Sequence, residues 1–207
     1  TLATDKLVLN NKKDINLSGE KAIGMLLIKA TGNNTGSSAN INVTNKNATG
    51  VFAKDGSKFK NISGAKITID TSANNNQAVG VFADGIGTVA ENSSTIEGIS
   101  ENAVAMFSQD KANVTNKNIV TLNGKKATGI FGKNNSNLTN DDAGKIELKK
   151  EKSVGIYSDS NIGTVINKGT ITAIGIASAG ISVKLEDTIG NKNVAGKNTG
   201  TIEIKGT

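Results

Sequence analysis

The chain has 207 residues and a formal net charge of +6, with no cysteine, histidine, proline or tryptophan. Without Cys it has neither a disulfide framework nor a thiolate metal site, and without His or Cys the common nucleophile–base pairs cannot be assembled. No arginine is present, so all 24 basic residues are lysines; scattered along the chain with never more than two adjacent, and with one tyrosine and five phenylalanines to offer stacking, they point to a solvated face rather than to nucleic acid.

The first unit opens at Leu9-x-Asn11, runs through the alternating pair Ile15-x-Leu17 and closes on Ala22-Ile23-Gly24-Met25-Leu26. The closing phrase returns as Ala48-Thr49-Gly50-Val51-Phe52, Ala78-Val79-Gly80-Val81-Phe82, Ala103-Val104-Ala105-Met106-Phe107, Ala127-Thr128-Gly129-Ile130-Phe131 and Ser153-Val154-Gly155-Ile156-Tyr157. A fainter copy is Ser178-Ala179-Gly180-Ile181-Ser182. Its third position falls at 24, 50, 80, 105, 129, 155 and 180, so the intervals are 26, 30, 25, 24, 26 and 25 residues. A fixed period of this length marks a stacked repeat rather than an independent globular core.

The alternating pair precedes each closing phrase: Ile41-x-Val43, Ile67-x-Ile69, Ile96-x-Gly98, Val120-x-Leu122, Ile146-x-Leu148 and Ile171-x-Ala173, with Ile202-x-Ile204 opening a further unit. Apolar residues at period two with Thr, Lys or Glu between them predict half-buried strands. Ahead of each pair stands an asparagine: Asn11, Asn34, Asn61, Asn92, Asn116, Asn140, Asn167 and Asn198. Asparagine and the neighbouring glycines suit turns, because Asn tolerates positive φ and Gly adopts it without steric cost.

Strand, turn with Asn, strand, turn and strand with Gly, in about 25 residues, close one coil of a parallel β-helix. The predicted fold is therefore all-β, a three-sided solenoid of seven to eight coils, rising about 4.8 Å per coil and forming a single body over residues 1–207. Stacked asparagines are expected to bond one another as a ladder rather than to hold a ligand or metal. The column Leu26, Phe52, Phe82, Phe107, Phe131, Tyr157 is expected inside, because six large apolar residues exposed in line are an aggregation hazard; the competing reading is an exposed stripe suited to stacking on sugars. Val or Ile just before each ring also wants burial, and a bend beside the Gly would reconcile the two. Two departures from the period, Asp70–Gln77 and Lys184–Asn193, predict projecting loops.

No window approaches the roughly 18 apolar residues that span a bilayer, and Thr1-Leu2-Ala3-Thr4-Asp5 does not read as a signal peptide. The pattern starts and stops inside its own repeat, so a segment of a longer protein is expected. The unit seen in Ser153-Val154-Gly155-Ile156-Tyr157, Gly163-Thr164-Val165-Ile166-Asn167 and Gly169-Thr170-Ile171-Thr172 resembles the passenger regions of type V autotransporter adhesins, in particular the large fusobacterial outer-membrane proteins. That resemblance implies a right-handed β-helix held outside the cell by a C-terminal outer-membrane barrel. It implies a monomeric adhesin or stalk acting at the cell surface toward a host-cell or bacterial surface protein or glycan.

On this reading the segment is not an enzyme, uses no cofactor, and has no catalytic or metal residue to name. The alternative is a carbohydrate-active β-helix enzyme, a polysaccharide lyase or glycoside hydrolase, which needs grouped carboxylates, Ca²⁺ ligands or a basic catalytic residue. The adjacent acidic pair Asp141-Asp142 falls at a turn, where a solvated corner is expected. The Gly-Gly-x-Gly-x-Asp repeats of a calcium roll and the regular Thr-x-Thr ladder of an ice-binding solenoid are both missing.

Overall fold

The computed structural model describes residues 7–70, 77–159, 163–184 and 194–205, and among these every regular element is a strand. The strands sort into three parallel sheets, of eight, eight and seven members. The asparagine sheet holds Val8–Asn11, Thr31–Thr35, Lys58–Ile62, Val89–Asn92, Asn113–Asn116, Asn137–Asn140, Gly163–Asn167 and Val194–Asn198. The isoleucine sheet holds Ile15–Leu17, Asn40–Val43, Lys66–Ile69, Thr95–Gly98, Ile119–Leu122, Lys145–Leu148, Thr170–Ala173 and Thr201–Ile204. Ile23–Ile28, Thr49–Lys54, Val79–Asp84, Val104–Gln109, Thr128–Lys133, Val154–Asp159 and Ala179–Lys184 form the aromatic sheet. The chain visits the three in turn, so each strand pairs only with its counterparts one coil away. The molecule is a three-sided parallel β-solenoid, as the repeat predicts.

Register follows the sequence columns. Ile41 lies opposite Ile15 and Ile67, and Ile96 opposite Ile67 and Val120. These residues are wholly buried from Ile41 onward, as are their partners Val43, Ile69, Leu122 and Leu148. Strict alternation in short strands lets each coil place one row of aliphatic side chains inside while Asn, Thr, Lys and Glu face water. The two predicted loops fall largely on residues 71–76 and 185–193, which lie outside the described residues.

The interior is filled by size matching across the corner between the aromatic and asparagine sheets. Glycine stands opposite a bulky residue in two coils: a Cβ on Gly32 would lie 2.5 Å from Leu27 Cδ1, and one on Gly132 would lie 2.6 Å from Leu138 Cδ1. The bulky residue is on the aromatic sheet in the first of these and on the asparagine sheet in the second, as it is again where Phe59 is buried beyond Ala53 and Val114 beyond Ser108. Close packing at nearly constant cross-section requires this exchange, since an extra methyl in one sheet must be removed from the other.

The glycine that recurs in the closing phrase has a different cause. None of Gly24, Gly50, Gly129 and Gly155 has a positive φ. A Cβ at these positions would lie 2.5–2.6 Å from the carbonyl oxygen of the following coil. Glycine is used here for close backbone approach between coils. Ala105 occupies the same column and is fully buried, so one coil accommodates the methyl.

Candidate functional site

The asparagine column forms an unbroken amide ladder. Asn11 Nδ2 donates to Asn34 Oδ1 at 2.8 Å, and the same bond repeats through Asn61, Asn92, Asn116, Asn140 and Asn167 to Asn198 at 2.7–3.0 Å. Asn34, Asn61, Asn92, Asn116, Asn140 and Asn167 are all fully buried. Their second Nδ2 protons reach backbone carbonyls as well, for example Asn34 to Lys66 O at 3.0 Å and Asn61 to Thr95 O at 3.0 Å. The ladder is thus structural, as expected. The turn role inferred for these asparagines is corrected: each lies at the last or next-to-last position of its strand, the six from Asn34 to Asn167 are buried, and none of the eight has positive φ. Inward placement wins because a buried amide can satisfy its donors and acceptor along the column, where a solvent-facing turn gives it water instead.

The left-handed corner residues are different ones. Lys21, Asn47, Asn102, Lys126, Lys152 and Ala177 occupy one column with φ between 53° and 57°. Four of their amides donate to the next coil, Lys21 N to Lys46 O, Asn102 N to Lys125 O, Lys126 N to Glu151 O and Lys152 N to Ile176 O, at 2.9–3.2 Å. Asn47 and Asn102 tolerate this region, but at Lys21, Lys126, Lys152 and Ala177 it costs roughly 1–2 kcal/mol, so there the tight corner holds a conformation that the residue type does not favour.

The acidic pair lies at a corner of the rod. Asp142 is exposed, and Asp141 accepts from Lys168 Nζ at 3.2 Å, a bond that holds its carboxyl below the usual range against a smaller opposing effect of burial. Other inter-coil ion pairs include Lys46–Glu20 at 3.1 Å and Lys125–Glu151 at 2.9 Å, whose hydrogen bonds lower both carboxyl pKa values. Glu91 sits on the outer face of the asparagine sheet between Lys117 (2.8 Å) and Lys60 (3.9 Å) and accepts from Ser93 Oγ at 2.7 Å. Burial pushes its carboxyl up, but the bonds from Lys117 and Ser93 and the two lysine charges together hold it below the ordinary value. Among the described residues no group of three or more acidic side chains is placed to share a metal ion.

The outer face of the aromatic sheet is where the structure overturns an expectation. Phe52, Phe82, Phe107, Phe131 and Tyr157 are partly exposed and Leu26 is 51% exposed, so the ring column runs outside the rod rather than within it. The reason is the bend at the glycine. In Gly50-Val51, Gly80-Val81, Gly129-Ile130 and Gly155-Ile156 both consecutive residues are buried, which breaks the alternation and turns the next side chain outward. The aliphatic residue before the ring takes the interior place. The hazard of an exposed apolar column is reduced because the rings cover one another: Phe52–Phe82 and Phe131–Tyr157 are stacked at 4.8 and 5.1 Å, and the tilted pairs Phe82–Phe107 and Phe107–Phe131 lie at 4.6 and 4.9 Å.

The same bend sets outward side chains three positions apart, as in Thr128 and Phe131, instead of the usual two. A furrow of about 400 Å³ results, with Val79, Val104 and Thr128 on one bank and Phe107 and Phe131 on the other. Lys126 and Lys133 flank it on opposite sides and Asp159 stands at one end. A second depression, of about 500 Å³, lies over the turns at Asp55, Gly85–Ile86, Asp110–Lys111 and Asn134–Asn135, where Asn134 Nδ2 donates to Asp110 Oδ1 at 2.8 Å. The sequence named no ligand residue; the furrow was hidden in it because its banks depend on the break in alternation.

Fold and surface together define a parallel β-solenoid with an exposed aromatic ladder. Comparison with protein-family models, with curated proteins and with solved structures found no match.

Proposed function

We propose that the chain is a non-enzymatic, monomeric segment of a cell-surface adhesin or stalk, of the kind carried by type V autotransporters. In this reading the rod stands outside the cell, anchored by a C-terminal outer-membrane barrel of a longer protein, and meets a surface protein or glycan of a host cell or another bacterium. The observation that carries the reading is the unbroken register of all three sheets. Stability is spread evenly along side-chain columns, which suits a spacer that must hold its shape over length. Composition agrees, because a chain with no His, Cys or Arg has few means of acid–base or nucleophilic chemistry.

The test is a pair of assays on the purified chain. Beads coated with it are scored for adhesion to epithelial cells and to bacteria, and the soluble chain is incubated with pectic and other polysaccharides while new reducing ends are measured. Adhesion above albumin-coated beads assigns the contact to this segment, and inert beads assign it the stalk role. Release of reducing ends or unsaturated products overturns the proposal in favour of a carbohydrate-active enzyme.

A further inference from the structure

The aromatic sheet offers a face that a single rod leaves uncovered. Its seven strands are each six residues long. In the five inner strands the first, fourth and sixth residues turn outward, so three columns run along the rod. The first column, Thr49, Val79, Val104, Thr128 and Val154, and the ring column beside it carry no charge. The sixth-position column carries all of it, reading Lys54, Asp84, Gln109, Lys133 and Asp159 in successive coils. Pairing within the column does not account for that order. Neither Lys54 with Asp84 nor Lys133 with Asp159 closes an ion pair. Lys54 turns instead to Asp55 at 3.7 Å, and Asp159, whose buried Oδ1 has no hydrogen-bond partner among the described residues, has Lys184 only at 3.9 Å.

The order is its own complement in reverse. About Gln109, Lys54 mirrors Asp159 and Asp84 mirrors Lys133. A half-turn about an axis that lies between two rods, parallel to the strands and level with Gln109, reverses the coil order and leaves position along the strand unchanged. Each column of one rod then faces the same column of the other: rings meet rings, Val and Thr meet Val and Thr, and both Lys–Asp pairs form twice. Neither neighbouring register does this. A shift of one coil sets Lys54 against Lys133 in one direction, and Lys54 against Lys184 with Asp84 against Asp159 in the other. Rods laid in the same direction, about an axis along the rod, put the charged column over Thr and Val and desolvate its charges without partners.

We propose that two copies of this chain pair face to face and antiparallel through the aromatic sheet, in the register centred on Gln109. At about 3.3 Å per residue and about 4.8 Å per strand the face measures about 20 by 30 Å. At most about 600 Å² is therefore covered on each rod, about 1,200 Å² in all, at the lower end of specific interfaces. The association is accordingly reversible and joins rods that each fold as one chain. It is independent of the adhesin reading and fails separately from it.

The test is sedimentation velocity of the whole chain from about 1 μM to about 1 mM at low salt. The sedimentation coefficient is expected to rise from the value of one rod and level off at that of a pair. Asp84→Lys and Lys133→Asp each set like charges opposite one another and should weaken pairing about tenfold or more, with an unchanged circular dichroism spectrum. Mixed in equal amounts, the two variants again oppose unlike charges across the joint and should pair as the parent chain does. Thr121→Lys, on the outer face of the isoleucine sheet, should change nothing. A chain that stays single throughout, growth past a pair, charge variants that pair unimpaired alone, or a mixture that fails to recover overturns the proposal, and so does loss of pairing in Thr121→Lys.

Discussion

A single buried asparagine shows how the rod is held. Asn116 accepts from Asn92, donates to Asn140 at 2.9 Å and donates to Asn118 O at 2.8 Å. Asn116→Ala leaves Asn92 without its acceptor and Asn140 without its donor, both buried, and is expected to cost about 2–4 kcal/mol. Asn198→Ala, at the exposed last rung, leaves one buried group, Asn167 Nδ2, without its partner in place of two and should cost about half as much, roughly 1–2 kcal/mol. Urea titrations of the two variants check the contrast, and equal losses would mean that the ladder is not cooperative.

Glu91 gives the pH response. Its carboxyl is held below the ordinary value of 4.5, so it stabilises the fold above the unfolded-state pKa, and that contribution is lost as pH falls through the folded value. The wild-type chain should therefore melt higher than Glu91→Gln at neutral pH, with the gap closing as pH falls below about 4.5. A gap that stays constant into acid would show that Glu91 acts through packing alone. Residues of this kind were partly legible. The asparagine column was visible from its period, but not the inward orientation, because Asn is ordinarily a turn residue and only the whole column makes its burial favourable. The left-handed corner at Lys126 and Lys152 was not legible at all, since lysine carries no preference for positive φ.

At the scale of the strand, two rules of packing meet at the aromatic sheet. Alternation alone would bury either the Val51 column or the Phe52 column, and the glycine bend settles the matter by burying Gly50 and Val51 together. The need for such a bend could be read from the sequence, but its direction could not. Periodicity carries no information on which of two apolar neighbours takes the interior place.

Across the next corner, glycine and leucine trade volume, and this gives a test of packing between elements. Gly132→Ala pushes a methyl into Leu138 and should cost about 1–3 kcal/mol; Leu138→Ala alone opens a cavity and should cost about 2–5 kcal/mol. In the double variant the new methyl occupies part of that cavity, so the loss should fall short of the sum by at least about 1 kcal/mol. Additive losses in a thermodynamic cycle would show that the two sites do not share space.

The whole molecule is a one-dimensional stack in which each coil touches its neighbours and little else. The isoleucine, asparagine and aromatic columns all repeat in the same register, so the sequence period translates directly into position along the axis. This is why the fold class was readable: repetition turns an ambiguous short strand into one of seven or eight aligned examples. The surface was less readable because its furrow depends on a local departure from alternation that no count of apolar residues reveals.

The register itself can be tested by cross-linking, since the chain contains no cysteine. Thr115 lies opposite Glu91 on one side and Thr139 on the other, on the outer face of the asparagine sheet. Neighbouring strands stand about 4.8 Å apart, within disulfide reach, whereas strands two coils apart stand about 9.6 Å apart and beyond it. Thr115→Cys with Thr139→Cys should close an intramolecular disulfide on mild oxidation, seen as a mass loss of two hydrogens and one cross-linked peptide pair, while Glu91→Cys with Thr139→Cys should remain a dithiol. Closure of the second pair in preference to the first would contradict the stacking of successive coils.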